Sequence, residues 1–199
     1  RRELGVLRAA LSFGQKHKWF DVAPHVELPP SPAPRQRWLT REDADKLQAA
    51  CKSHHIKTYM ALGIHTGARK GAILDLTWDR VDMDNGRIFF TLPGRPTSKK
   101  RRGIVPINET LKAVLEEAEI LAQSNWVVEW REGPVLNIKH AFNDAVRAAG
   151  LEGVTPHVLR NTCAAWLLQA GVSFAETAAY LSDSEAMIRK VYGHHHPDW

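Results

Sequence analysis

The chain has 199 residues, 44% of them hydrophobic, with two cysteines and a formal net charge of +5. That is enough apolar material for one well-cored domain plus an appendage and excludes a disordered tail, while no apolar run reaches the roughly 20 residues that span a membrane. With no secretory n-region or h-region the expected location is the cytoplasm, Cys51 and Cys163 read as reduced structural thiols, and the positive charge suits a polyanionic partner without identifying one.

Residues 1–20 place Leu4, Leu7 and Leu11 at helical spacing, in a helix too short to build a core of its own. Residues 21–38 form a proline-rich linker, with Pro24, Pro29, Pro30, Pro32 and Pro34, and Arg35, Arg37 and Arg41 at its far end. The remainder, 39–199, is predicted as the main domain. Thr40 caps a helix running to about Ser53, and a second runs from Ile56 to Thr66. Gly67 and Arg69 then lead into a short helical turn ending at Leu74. TWDRVDMDNGRIFFTL reads as a β-hairpin turning at Asp84-Asn85-Gly86, with β-branched and aromatic residues on either side.

Four consecutive basic residues, Lys99 to Arg102, precede a strand at Gly103–Ile107. Such a run is either a solvated hairpin tip or a strand that aims a lysine into a groove, and the pattern leaves the two even. Asn108 to Gln123 is an amphipathic helix with Leu111, Leu115, Ala118 and Leu121 inward. Its Glu109, Glu116, Glu117 and Glu119 turn away from any polyanion. WVVEWREGPVL makes a two-stranded element turning at Glu132-Gly133, and Ile138 to Ala149 is another amphipathic helix.

The stretch Thr155–Tyr192 concentrates the chemistry. Thr155 is the predicted N-cap and Pro156 the first helical residue, where a missing N–H costs nothing. His157, Arg160, Asn161 and Ala164 share one face of that helix; Leu159, Thr162, Cys163, Trp166 and Ala170 share the opposite one, which is expected to be buried. Gly171 ends the helix. Ser173 with Glu176 makes a capping box for the next helix, and Ser182 with Glu185 repeats the device for the last one, which delivers Tyr192.

No GxxxxGK[ST], CxxC or GxSxG pattern is present, and the adjacent His194, His195 and His196 cannot share a helical face as a metal pair does. No cofactor and no metal are therefore expected. What remains is Arg69, a lysine of the 99–100 pair, His157, Arg160 and Tyr192. Guanidiniums suit clamping of a phosphate, lysine can protonate a leaving alkoxide, and tyrosine can act as a covalent nucleophile. Each has an ordinary structural reading as well: Arg160 as a helix cap, Tyr192 as a core-edge aromatic.

In sequence order, HTGARKGAILDLTW, PTSKKRRGIVPI, TPHVLRNT and VYGHHHPD resemble the tyrosine recombinase family, and most of all its phage and prophage integrases. The resemblance covers Leu39 to Asp198. It implies an α+β, mainly α-helical catalytic domain with a small antiparallel β-sheet, of the DNA breaking-rejoining type, over 39–199. Residues 1–20 then resemble the C-terminal helix of a truncated N-terminal core-binding domain. By the same resemblance Arg69 is the first catalytic arginine, His157 and Arg160 the HxxR pair, Tyr192 the nucleophile and Lys99 the hairpin lysine, with Lys100 the other candidate.

The chain departs from the family pattern at three positions. Ala72 stands where an acidic residue is usual, Asn161 follows Arg160 where histidine is frequent, and Asp183 occupies the position of a usual histidine or tryptophan. Asp183 counts among the catalytic positions; it either repels a phosphate or serves the start of the last helix. The implied activity is site-specific DNA recombination through a 3′-phosphotyrosine intermediate. The implied partners are double-stranded DNA attachment sites and further copies of the chain in a synaptic tetramer. The alternatives are a DNA-binding, catalytically weakened relic, a type IB topoisomerase-like enzyme and, remotely, a histidine-based ribonuclease.

Overall fold

In the computed structural model, residues 1–30, 37–91 and 103–198 are described. The expectations placed on Lys99 and Lys100 lie outside the described residues. The chain divides into two compact units, Arg1–Arg35 and Gln36–Trp199. In the first, helix α1 (Arg2–Lys16) is followed by Trp19 and Phe20, which close over Gly14, and Gln15 donates to the Asp21 carbonyl at 3.0 Å. Among the described residues no helix is long and apolar enough to cross a membrane.

The second unit is built around helix α3 (His54–Thr66), whose residues from Ile56 to Thr66 are almost all buried. It is preceded by α2 (Arg41–Ala49), where the Thr40 hydroxyl accepts from the Asp43 N–H at 3.1 Å. Short α4 (Lys70–Leu74) follows, with Arg69 at its N-cap position. Three antiparallel strands come next, β1 (Val81–Asp82), β2 (Arg87–Phe89) and β3 (Ile104–Pro106), in that spatial order. The hairpin turn forms where predicted: Gly86 takes φ +61° and the Asp82 carboxylate accepts from the Asn85 N–H at 3.0 Å.

Helix α5 (Glu109–Ile120) is capped by the Asn108 side chain, which accepts from the Leu111 N–H. It ends earlier than the pattern predicts, so Leu121 is half exposed while Val114 takes an inward place beside Leu111, Leu115 and Ala118. Strands β4 (Glu129–Trp130) and β5 (Gly133–Pro134) pair antiparallel, but the turn lies one residue earlier than expected. Arg131 and Glu132 both have positive φ, the conformation of a two-residue hairpin loop whose twist matches its strands, and Gly133 already belongs to β5.

Helices α6 (Lys139–Ala148), α7 (Pro156–Gln169), α8 (Phe174–Leu181) and α9 (Glu185–Tyr192) complete the unit. The two-faced reading of α7 fails. Val158 to Ala165 are all buried, because α7 packs on α3 on one side and on α8 and α9 on the other. The side carrying Arg160, Asn161 and Ala164 thus faces a second, smaller apolar cluster with Leu181, Ile188 and Tyr192. The Ser173–Glu176 capping box is present as read. The next one is not: Ser182 closes α8 with φ +52°, and Ser184 caps α9 by accepting from the Met187 N–H.

The corner between α3 and α4 depends on Gly67. Its φ of +59° lies in the left-handed region, and a Cβ there would stand 2.2 Å from a Leu181 methyl carbon. Gly67→Ala combines left-handed strain with overpacking against α8, so it should lower stability by about 2–4 kcal/mol in urea unfolding. A loss under 1 kcal/mol would show that α8 yields at this contact.

Candidate active site

Two backbone corners build the site. At the first, α3 ends on Gly67, and the chain turns through Ala68 to place Arg69 at the head of α4. At the second, α8 ends on Ser182 and the chain passes through Asp183 to the cap of α9 at Ser184. Helix α7 runs between the corners and projects Arg160 into the gap.

Arg160 is 5% exposed, so its charge requires partners inside the fold. One Nη donates to the Gly67 carbonyl at 2.8 Å, and the other donates to Asp183 Oδ2 at 2.8 Å. Asp183 Oδ2 also lies 3.6 Å from an Arg69 Nη, while Oδ1 accepts from the Ser184 N–H at 3.0 Å. A single carboxylate oxygen is therefore held between two guanidiniums. Asp183 is neither directed away from the cluster nor placed within the first turn of α9; it precedes the cap and faces the arginines. Ala72 is buried on α4, so the carboxylate that meets Arg69 comes from the second corner.

His157 lies one turn before Arg160, at the surface. Its imidazole pKa is lowered, first by partial loss of water and then by Arg160 and Arg69, against an opposing pull from Asp183. The direction of the shift favours the neutral ring. Tyr192, the last residue of α9, is 9% exposed, and its hydroxyl donates to Asn161 Oδ1 at 2.7 Å. Burial is the main cause that raises its pKa; Arg160 pulls it down, and Asp183 and Cys163 push it up.

The cluster thus brings together Arg69, His157, Arg160, Asp183 and Tyr192. Lys99 and Lys100 lie outside the described residues, but Gly103, just before β3, packs against Ser182, the neighbour of Asp183. Gly103 sits so close to Ser182 that a Cβ on it would come 2.6 Å from that hydroxyl. The sequence reading places Asn161 on the face of His157 and Arg160 and as a departure from the family pattern, but misses its contact with Tyr192. It also gives no role to Thr162 and Trp166 in holding the segment before α2. Leu39 N–H donates to the Thr162 hydroxyl at 2.9 Å, the Trp166 indole donates to the Leu39 carbonyl at 3.0 Å, and Asn161 donates to the Arg37 carbonyl at 3.2 Å. Spacing along one helix carries no signal for partners more than 120 residues away.

A model described as "Phage integrase family" matches residues 37–198. The integrase of Salmonella phage P22 is 29% identical over 184 residues, an alignment covering 85% of this chain and 46% of that relative. The chain spans about half the length of the curated relatives it matches. Two solved structures establish the fold. The catalytic domain of bacteriophage HP1 integrase superposes with a TM-score of 0.62 at 23% identity, covering 81% of this chain and 89% of that one. A lambda integrase tetramer bound to a Holliday junction superposes with a TM-score of 0.72 at 19% identity, covering 96% and 58%.

Asp183→Asn keeps an oxygen for Arg160 but removes the charge between the two guanidiniums. Because the carboxylate is 28% exposed, the expected loss of stability is modest, about 1–2 kcal/mol in urea. Added sulfate should restore more stability to this variant than to the wild type, since the arginine pair can then take up the anion. Equal sulfate responses would mean that the arginines do not form an anion site.

Proposed function

The chain belongs to the phage integrase family, and from that premise we propose that it is the catalytic part of a site-specific DNA recombinase. The observation that carries the proposal is the convergence of Arg69 and Arg160 on one oxygen of Asp183. Two guanidiniums about one oxygen is the contact that a non-bridging phosphate oxygen of DNA would make. A scissile phosphate enters by displacing that carboxylate.

The reaction then proceeds by phosphoryl transfer. The Tyr192 oxygen attacks phosphorus, its proton passing to neutral His157. The bond to the 5′-oxygen breaks, and Lys99, or Lys100 in its place, protonates that oxygen. The products are a 3′-phosphotyrosyl link and a 5′-hydroxyl. Arg69 and Arg160 stabilise the charge that builds on the non-bridging oxygens. The covalent link conserves the energy of the phosphodiester, so the 5′-hydroxyl of a partner strand can attack it and exchange strands; no nucleotide is consumed. The substrates are double-stranded attachment sites joined in a synaptic tetramer, by analogy with the lambda integrase tetramer on its Holliday junction. Such a reaction belongs in the cytoplasm, where bacterial and phage DNA meet.

A weakened enzyme is the second reading, favoured by the same carboxylate. At 4 Å and an effective dielectric of 20, a carboxylate and a phosphate charge repel by about 4 kcal/mol. Asp183→His removes that repulsion and adds a donor, so covalent adduct should accumulate faster on a nicked suicide duplex. An unchanged or slower rate would show that the carboxylate leaves the site without hindrance.

On the same substrate, Tyr192→Phe should abolish the adduct while retaining fold and DNA binding; adduct formed by the Phe variant would remove the proposal. With His157 as the base and its pKa lowered, the neutral form persists to lower pH. The acid limb of the adduct rate should therefore have its midpoint below about 6.5, the ordinary histidine value. A midpoint above that value would assign the proton to another group.

A further inference from the structure

The hydroxyl assigned above as the nucleophile is held by a group that no step of the transfer uses. Tyr192 and Asn161 are both buried, and their side chains meet at 2.7 Å, phenol oxygen to Asn161 Oδ1. The other end of the amide, Nδ2, lies 3.2 Å from the main-chain oxygen of Arg37. A main-chain carbonyl can only accept a hydrogen bond, so it determines which end of the amide faces it. The amide oxygen is therefore turned to Tyr192, and it too can only accept. The phenol must be the donor, and it must be neutral. A phenolate at the same place would face the lone pairs of the amide oxygen. That oxygen is far too weak a base to remove the proton, so Asn161 cannot serve as the general base.

We propose that Asn161 is a positioning residue for the nucleophile. Oriented by the Arg37 carbonyl, its side-chain oxygen holds the Tyr192 hydroxyl as a donor in the resting enzyme, and the hydroxyl must leave it before attack. The proposal rests on the reading of Tyr192 as the nucleophile. Among the described residues, the charged and titratable groups about the hydroxyl are Arg160 and Cys163 on α7 and Asp183 before α9. On α9 itself, Arg189 is engaged with Glu185 at 3.0 Å and lies over the Phe174 ring. Arg160 favours the phenolate, Asp183 and Cys163 oppose it, and Asn161 adds a directed preference for the neutral form. The tether has a second end. Arg37 stands at the start of the catalytic unit, beside the Leu39 backbone that Thr162 and Trp166 hold. A displacement of this entry segment would release the amide, and with it the hydroxyl.

The test is a titration of the DNA-free chain with tyrosine labelled at Cζ, followed by carbon-13 NMR. There are three tyrosines. Burial pushes Tyr59 and Tyr180 far up, and the Tyr192 resonance is identified by its loss in Tyr192→Phe. In Asn161→Ala and in the similar-sized Asn161→Leu, the Tyr192 step should move down by about half a unit to one unit, the effect of one lost hydrogen bond. An unchanged or raised step overturns the proposal. On a nicked suicide duplex at neutral pH the same variants should form adduct roughly three- to tenfold faster, because the hydrogen bond that must otherwise be broken before attack is gone. A slower rate in a folded variant overturns it.

If neither variant folds, the wild type decides. Its Tyr192 hydroxyl proton should be protected from exchange without DNA and should lose that protection on an uncleavable duplex. Protection that persists on the duplex overturns the proposal. Tyr192→Phe separates the two layers. Adduct that survives this substitution removes the nucleophile reading itself, whereas a Tyr192-dependent adduct with no Asn161 effect removes only the present inference.

Discussion

The second unit is organised by the need to satisfy the buried cation of Arg160. Arg160 carries its charge 95% out of solvent on a helix packed from both sides, where an unpaired guanidinium would cost several kcal/mol. Its two ends reach partners from different corners of the chain, the Gly67 carbonyl and the Asp183 carboxylate. The bond to Gly67 requires the left-handed turn that ends α3, and that turn sets Arg69 at the head of α4. The bond to Asp183 fixes the connection from which α9 departs, and α9 carries Tyr192. Satisfying the charge thus places the other groups of the site.

The same demand gives meaning to two departures from the family pattern. The position three residues after Arg69 holds the apolar, buried Ala72 in place of an acid, while Asp183 introduces an acid beyond α8. The pair of arginines therefore has a carboxylate partner, delivered from the other corner. The consequence is a stable fold whose anion site carries an internal anion. On the proposed function, stability and reactivity are set against each other at a single side chain, because a group that neutralises the arginines in the absence of DNA would compete with a phosphate.

Much of this was legible in the sequence because it is local. Pro156 at a helix start, the Ser173–Glu176 box and the Asp84-Asn85-Gly86 turn act within a few residues, and the structure places each as read. The spacing of His157 and Arg160 is that of one helix turn, and both lie on α7. The failures are also physical. The faces of α7 could not be assigned because almost every residue on it is small, apolar or hydrogen-bonded inside the fold, and two layers cover it. Ser182 and Ser184 are equally good caps by type, and the left-handed backbone at Ser182 decided between them. The Asp183–Arg160 pair and the Asn161 bridge join residues far apart in sequence, and periodicity does not report such contacts.

The bonds from Arg37 and Leu39 to α7 bear on how genes of this kind can exchange parts. Two units joined by a proline-rich stretch invite modular shuffling, in which a different N-terminal unit is spliced onto the unit that carries Arg160. The joint is asymmetric. A crossover within residues 31–36 passes on the Arg37 carbonyl, the Leu39 backbone and the Trp166 that receives it as one inherited set. A crossover two or three residues later brings in a foreign segment, and Asn161, Thr162 and Trp166 must then accept whatever backbone arrives. The permissible boundary is narrower than the linker's composition suggests, and it lies on the N-terminal side of Arg37.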